Sequence, residues 1–182
     1  MVYRPQTALL ILLAMGLGAC TPVLEYPPPA QKVMPTGEEP LAGTGMIVIS
    51  EMRANTGVVS DVLGADPGNM WRWTNQHPRL RVWVHPSEAL NFYVKFTIAG
   101  DVLKKVGPQT VRMIVNGQVL DTRTIGTEGE QIFTKRVPPE MLGTNNEVVA
   151  GLDIDPVLIA SQDGMKLGVL LQEIGLKPAA SR

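Results

Sequence analysis

The sequence predicts an all-β chain, packed as a β-sandwich. Three observations carry that prediction. Leu90, Phe92, Val94, Phe96 and Ile98 alternate with Asn91, Tyr93, Lys95 and Thr97, and period two is the signature of a half-buried strand. Shorter runs of the same kind recur between Gly, Pro, Asn and Asp turn signals. No stretch sustains the 3.6-residue period of a long amphipathic helix, and no internal repeat is visible.

The strands follow in order. Met46-Ile47-Val48-Ile49 is a short apolar run and the first strand. Gly57 to Asn69 reads as loop, with Gly64, Asp66-Pro67 and Gly68 as turn signals. Trp71-Arg72-Trp73-Thr74 follows, then a turn around Asn75 to Pro78. Leu80, Val82 and Val84 alternate with Arg81 and Trp83, and Pro86 stops that strand. The 90–98 strand comes next.

Val111, Met113 and Val115 repeat the alternation against Thr110 and Arg112. Asn116-Gly117 predicts a two-residue hairpin, because a type I′ turn needs positive φ at both positions. Gln118-Val119-Leu120 is the return strand. Gln131 to Val137 forms another strand, closed by Pro138-Pro139, and Glu140-Met141-Leu142 fits one helical turn. Glu147 to Ile154 and Leu167 to Leu176 are the last two strands. In the final one Val169 and Leu171 lie two apart but Ile174 comes three later. That phase slip predicts a bulge.

Upstream of the sandwich the chain has a different character. Arg4 supplies an early positive charge, and Ala8 to Met15 is apolar without a charge. Gly16, Gly18 and Ala19 are small. Positive, apolar and small residues in that order are the layout of a secretory signal. The apolar run falls short of the ~20 residues of a permanent transmembrane helix. Leu17-Gly18-Ala19-Cys20 then resembles the lipobox of bacterial lipoproteins. The resemblance implies cleavage between Ala19 and Cys20, a diacylglyceryl group on the Cys20 thiol, and acylation of the new amino terminus. Cys20 is the only cysteine of the 182 residues, so no disulfide is available and packing alone must hold the domain. More than one acyl chain is needed for stable attachment, and the family carries two or three. In enteric-type bacteria an Asp after the cysteine favours inner-membrane retention. Thr21 stands there instead, which leans toward the outer membrane.

These features divide the chain into a signal peptide over 1–19, a lipidated cysteine with a Pro-rich tether over 20–45, and a β-sandwich over 46–182. Pro22, Pro27, Pro28, Pro29, Pro35 and Pro40 stiffen the tether, since proline removes backbone donors and favours extended conformation. Alternatively, part of it packs as an irregular edge of the sandwich. With 45% hydrophobic residues and a net charge of -1, the chain has a core and lacks the basic surface of a nucleic-acid partner.

The sandwich itself resembles a known architecture. Asn116-Gly117-Gln118-Val119-Leu120, Val137-Pro138-Pro139-Glu140-Met141-Leu142, Asn146-Glu147-Val148-Val149 and Asp163-Gly164-Met165-Lys166-Leu167-Gly168-Val169 form an ordered series. It is similar to the galactose-binding-like jelly roll found beside bacterial glycosyltransferases and in envelope proteins. Arg72-Trp73-Thr74 fits the same pattern. Met165 and Val137 depart from it, where that family often has Arg and Ile. The resemblance implies a jelly roll over most of residues 46 to 177, with Trp71 and Trp73 packed against the sandwich. From chemistry alone, stacking on a sugar is the other use for those two rings.

Catalytic signatures are absent from the sequence. His77 and His85 each precede a proline, and no His-Glu-x-x-His, Gly-x-Ser-x-Gly or phosphate-binding Gly-Lys-Thr occurs. With Cys20 acylated no thiol nucleophile remains. Glu51, Glu88, Asp101 and Glu128 are scattered acids, and a carboxylate pair for glycoside hydrolysis, which has no local motif, is left open. Asp153, Asp155 and Asp163 read as acids flanking turns. A structural calcium there is left open, because their spacing matches no defined loop. No cofactor is expected, and the chain is read as a non-enzyme.

The candidate binding face lies on the outward phase of two strands. Arg81, Trp83, Tyr93 and Lys95 are predicted to share one side of a sheet, with His85 continuing the row. Aromatic rings meet the C–H face of a sugar and cations meet hydroxyls or acids, so that face predicts an acidic envelope glycan. Cross-strand and cation–π packing on a wet surface is the plainer account. The expected function is therefore a lipid-anchored envelope protein that binds glycan without catalysis. The alternative is a structural or assembly lipoprotein that docks an envelope protein.

Overall fold

A computed structural model describes residues 45–49, 54–64, 70–84, 89–144 and 146–179. The signal segment, Ala19, Cys20 and the tether up to residue 44 lie outside the described residues, as do Glu51, His85 and Glu88. In chain order the elements are β1 (Met46–Val48), α1 (Ala54–Gly57), β2 (Val58–Val62), β3 (Arg72–Trp83) and β4 (Leu90–Ile98). They continue with α2 (Gly100–Val106), β5 (Gln109–Val115), β6 (Gln118–Ile125), β7 (Gly129–Arg136) and α3 (Pro139–Leu142). The last are β8 (Glu147–Asp155), β9 (Leu158–Ile159), β10 (Lys166–Leu167) and β11 (Leu170–Pro178).

The strands form a β-sandwich in which every pairing is antiparallel. One hydrogen-bonded path runs β6-β5-β8-β3-β11-β4-β7, with β2 beside β3 and β1 beside β11. It folds over where β3 meets β11. The first layer holds β2, β3, β8, β5 and β6, and the second holds β1, β11, β4 and β7. Phe92, Val94 and Phe96 from the second layer meet Leu80, Val82, Met113 and Leu152 from the first, all in one core. Alternation explains why: each of these residues has a more exposed neighbour on at least one side, so burying the apolar phase leaves the polar phase in water.

Several expectations hold in detail. Asn116 and Gly117 have φ of 48° and 80°, the positive values a type I′ turn requires. Asn116 also ties the hairpin down, donating to the carbonyls of Met141 (2.9 Å) and Leu142 (3.1 Å) and accepting from the Val149 N–H (2.9 Å). The register of β11 shifts between Leu171 and Glu173. That bulge lets Val169, Leu171 and Ile174 all reach the core.

Four expectations are corrected. The turn expected at Asn75 to Pro78 is part of β3. There the strand changes partners: Arg72 and Trp73 pair with β11, and Arg79 to Trp83 pair with β8. Its register against β2 slips between Ser60↔Arg79 and Val62↔Thr74. Proline has no N–H for a ladder, so Pro78 fits at such an interruption. The loop expected over 57–69 contains β2, an edge strand bent at Asp61, whose φ is 59°. Helix α2 was not expected at all. It spans two turns, too few for a period to show, and buries only Val102 completely. Asp101 at its start and Lys104 and Lys105 at its end suit the helix dipole.

The fourth lies at the seam where β3 passes from β11 to β8. The resemblance implied Trp71 and Trp73 packed inward, yet Trp71 is 45% exposed while Arg72 and Thr74 are 4% and 0% exposed. Period two admits only one of the two sets. Thr74 takes the inside because its hydroxyl accepts the Val169 N–H at 3.1 Å, and its own N–H reaches the Val169 carbonyl at 2.9 Å. A buried donor without a partner would be costly, and Thr74 supplies the partner.

Candidate functional site

The core phase of β3 fixes its outward phase. With Leu80 and Val82 inside, His77, Arg79, Arg81 and Trp83 face out in one row, with neighbours spaced about 6.6 Å apart along the strand. On β4, Tyr93 and Lys95 face out by the same rule. The phase of both strands is as expected. Their shared face is not. Arg81 stands opposite Val149 and Trp83 opposite Glu147, in the first layer. Tyr93 stands between Gly175 and Thr134, and Lys95 between Glu173 and Ile132, in the second. Arg81 and Trp83 therefore look out from one side of the sandwich, and Tyr93 and Lys95 from the other. Alternation reports which way a side chain points and says nothing of which strand lies beside it. Consecutive strands β3 and β4 belong to different layers.

The expected cations are already matched by acids. Arg81 Nε lies 2.8 Å from Glu147 Oε1, and Lys95 Nζ lies 2.9 Å from Glu130 Oε2. The hydrogen bond to Glu130 raises the Lys95 pKa above its ordinary value. Lys177 Nζ sits 3.4 Å over the Tyr93 ring, so one face of that ring is taken by a cation–π contact. Burial, followed by the Glu173 charge, pushes the Tyr93 hydroxyl up. The second-layer face is a packed polar surface, with its aromatic platform half covered.

The first-layer face carries a cluster the sequence did not show. Arg79 Nη1 donates to the Leu152 carbonyl and Nη2 to Asp153 Oδ1, both at 2.5 Å. His77 Nδ1 meets the same Asp153 oxygen at 2.9 Å. The His77 backbone N–H donates to Asp61 Oδ2 at 2.8 Å. Burial pushes the Asp153 carboxyl up, but the hydrogen bonds from Arg79 and His77 and their charges outweigh it, and its pKa lies below the ordinary range. Gly151 makes this geometry possible. A Cβ there would fall 2.6 Å from Arg79 Cδ and 2.5 Å from the Pro78 carbonyl oxygen. Only a residue without a side chain lets Arg79 lie flat across β8.

A signal for this cluster existed. Pro78 shares the inward phase of Leu80 and Val82. Extending the strand back through it would have added Arg79 and His77 to the row. Asp153 could not be found that way, because its partners are 74 and 76 residues distant.

The other expected acids have separate duties. Asp155 faces out on β8 opposite Thr110, and Asp163 Oδ1 accepts the Met165 N–H at 2.9 Å in a turn. Among the described residues no three His, Cys, Asp or Glu side chains converge for a metal, and no helix is long and apolar enough to cross a membrane. Two shallow grooves, about 570 Å³ beside α2 and about 340 Å³ beside the β9–β10 hairpin, are lined without an aromatic side chain. The Trp83 row is therefore the better-equipped surface for a ring-stacking ligand.

No family model matches the chain, and no curated protein matches it. Similar solved structures exist. One is a family 35 carbohydrate-binding module from an environmental isolate, at 10% identity and a TM-score of 0.41, covering 69% of this chain and 93% of that one. A second is the CBM36-1 domain of a multidomain xylanase from the hindgut metagenome of Trinervitermes trinervoides. It has 11% identity and a TM-score of 0.40, over 75% of this chain and 98% of its own. A third, a carbohydrate-binding module CBM36 in complex with calcium and xylotriose, has 10% identity and a TM-score of 0.40, over 72% and 98%. At these scores nothing about the ligand of this chain follows from them. The sandwich stands on its own strand pairing.

Proposed function

We propose that this chain is a non-catalytic glycan-binding protein, held in a bacterial cell envelope by lipid on Cys20. The ligand lies along β3 on the outer face of the first layer. The outward row His77, Arg79, Arg81, Trp83 carries this reading. It offers one aromatic ring for the C–H face of a sugar and a line of hydrogen-bonding groups for hydroxyls, extended over about 20 Å of strand. Arg79 and Arg81 each hold an acid, so the row is close to charge balance. A neutral, hydroxyl-rich glycan suits it better than the acidic one expected from the cations alone. Thr21 after the lipidated cysteine favours the outer membrane.

A glycan array probed with the full-length chain in detergent tests this. Trp83 is half-buried, so Trp83→Ala is expected to abolish the binding seen for wild type at a stability cost of about 0.5–3 kcal/mol, with the fold kept. Unchanged binding, or an unfolded variant, counts against the face. Docking of an envelope protein is the second reading, favoured by Met70 and Trp71, adjacent and both exposed at the entry to β3. In that case the array stays blank and Trp71→Ala, not Trp83→Ala, removes the chain from its envelope complex.

A further inference from the structure

Among the described residues, Arg112 is a cation on the first-layer face that the row leaves unused. It sits on β5 with Asp153 of β8 on one side and Thr122 of β6 on the other. The side chain is half-buried and makes no hydrogen bond or ion pair among the described residues. Arg79 and Arg81, on the same outer face, each hold a carboxylate. Five N–H donors in a planar fork are thus presented on a sheet surface without a protein acceptor. Beside it, both side-chain contacts of Asp153 use Oδ1, so Oδ2 remains an acceptor. Arg79 and His77 hold that carboxylate in one orientation. Asp155 and the hydrogen-bonded pair Thr110 and Thr124, at 3.3 Å, flank the spot.

We infer that Arg112 and Asp153 form a subsite for two adjacent hydroxyls of a neutral sugar, one accepting from the guanidinium and one donating to the carboxylate. This rests on the neutral-glycan reading above and adds a subsite beside the β3 row, with the adjacent-diol geometry it selects. Donor and acceptor stand on neighbouring strands in direct register, with side chains about 4.5–5.5 Å apart at Cβ. The acids Asp153 and Asp155 balance the cations Arg79 and Arg112, so a uronate or a phosphate brings a charge the site does not compensate. An adjacent diol brings both the acceptor and the donor.

Full-length chain in detergent, wild type and variants, is measured against xylo-, cello- and manno-oligosaccharides and against polygalacturonate. Wild type is expected to bind a neutral oligosaccharide and to prefer it to polygalacturonate. Arg112→Ala weakens that binding about tenfold or more, as loss of charge-assisted hydrogen bonds does. Arg112→Lys keeps the charge and the stem, so it stays folded, and it also weakens binding because the planar fork is lost. Thermal melting of each variant shows that the fold is kept. If Trp83→Ala loses the neutral glycan while both Arg112 variants keep it, the subsite is overturned and the glycan reading stands. Preference for polygalacturonate overturns the neutral class. If no glycan is bound by wild type, both inferences fall together.

Discussion

Cys20→Ala is expected to move the chain from the membrane fraction to the soluble fraction, or to leave it unprocessed. The effect should be nearly complete, because thioether formation requires the sulfur and the chain has no other cysteine. The physical reason is the size of the anchor term. Each buried methylene contributes about 0.8 kcal/mol, and two or three acyl chains hold a protein where one does not. Among the described residues no helix is long and apolar enough to span a bilayer. Globomycin should cause the lipidated, uncleaved form of the wild type to accumulate, and labelled palmitate should enter wild type but not Cys20→Ala. A wild-type chain that takes up no palmitate contradicts the anchor.

Gly151→Ala is expected to be the most damaging single methyl on the binding face. Its Cβ would lie 2.5 Å from the Pro78 carbonyl oxygen and 2.6 Å from Arg79 Cδ. The first of these is backbone and cannot swing away. Overpacking of this kind costs about 1–3 kcal/mol, a fall of roughly 3–10 °C in Tm for a domain of this size. Gly126→Ala is the control, because its nearest neighbour is Pro108 Cγ at 3.8 Å, an ordinary contact. Displacing Arg79 also removes a partner of Asp153, and this has a pH signature. The Asp153 pKa is depressed in the folded protein, so its contribution to stability is present above the unfolded carboxylate value. It is lost as pH falls through the folded value. Wild type should therefore lose more stability than Gly151→Ala on acidification through that window, read by urea unfolding at a series of pH values. Equal losses would show that Asp153 draws nothing from Arg79.

Some of this was legible in the sequence for identifiable reasons. Leu90 to Ile98 announced its strand because five apolar and four polar residues alternate without a fault. Asn116-Gly117 announced its hairpin because few residues tolerate two positive φ values in succession. The binding face was half legible. Arg81 and Trp83 point out as read, but Tyr93 and Lys95 lie on the other layer, since phase carries no information on strand order. The seam hid the rest. Pro78 and its polar neighbours resemble a turn locally, and only the change of partner from β11 to β8 shows why a strand tolerates them there. Trp71 and Trp73 misled for a related reason. Large rings promise a core, yet the hydrogen bonds of Thr74 at the seam decide which phase is buried. Arg112 was visible only as one polar residue of an alternating strand. Its interest comes from neighbours that residue spacing cannot supply.

Hydroxyl-radical footprinting of the full-length chain, with and without the oligosaccharide it binds, tests the central claim most directly. Trp83 and Tyr93 are both oxidisable and lie on opposite faces, so one experiment reads both. Bound glycan along β3 is expected to protect Trp83 and leave Tyr93 unchanged. Protection of Tyr93 with Trp83 unchanged would place the ligand on the other layer and contradict the account.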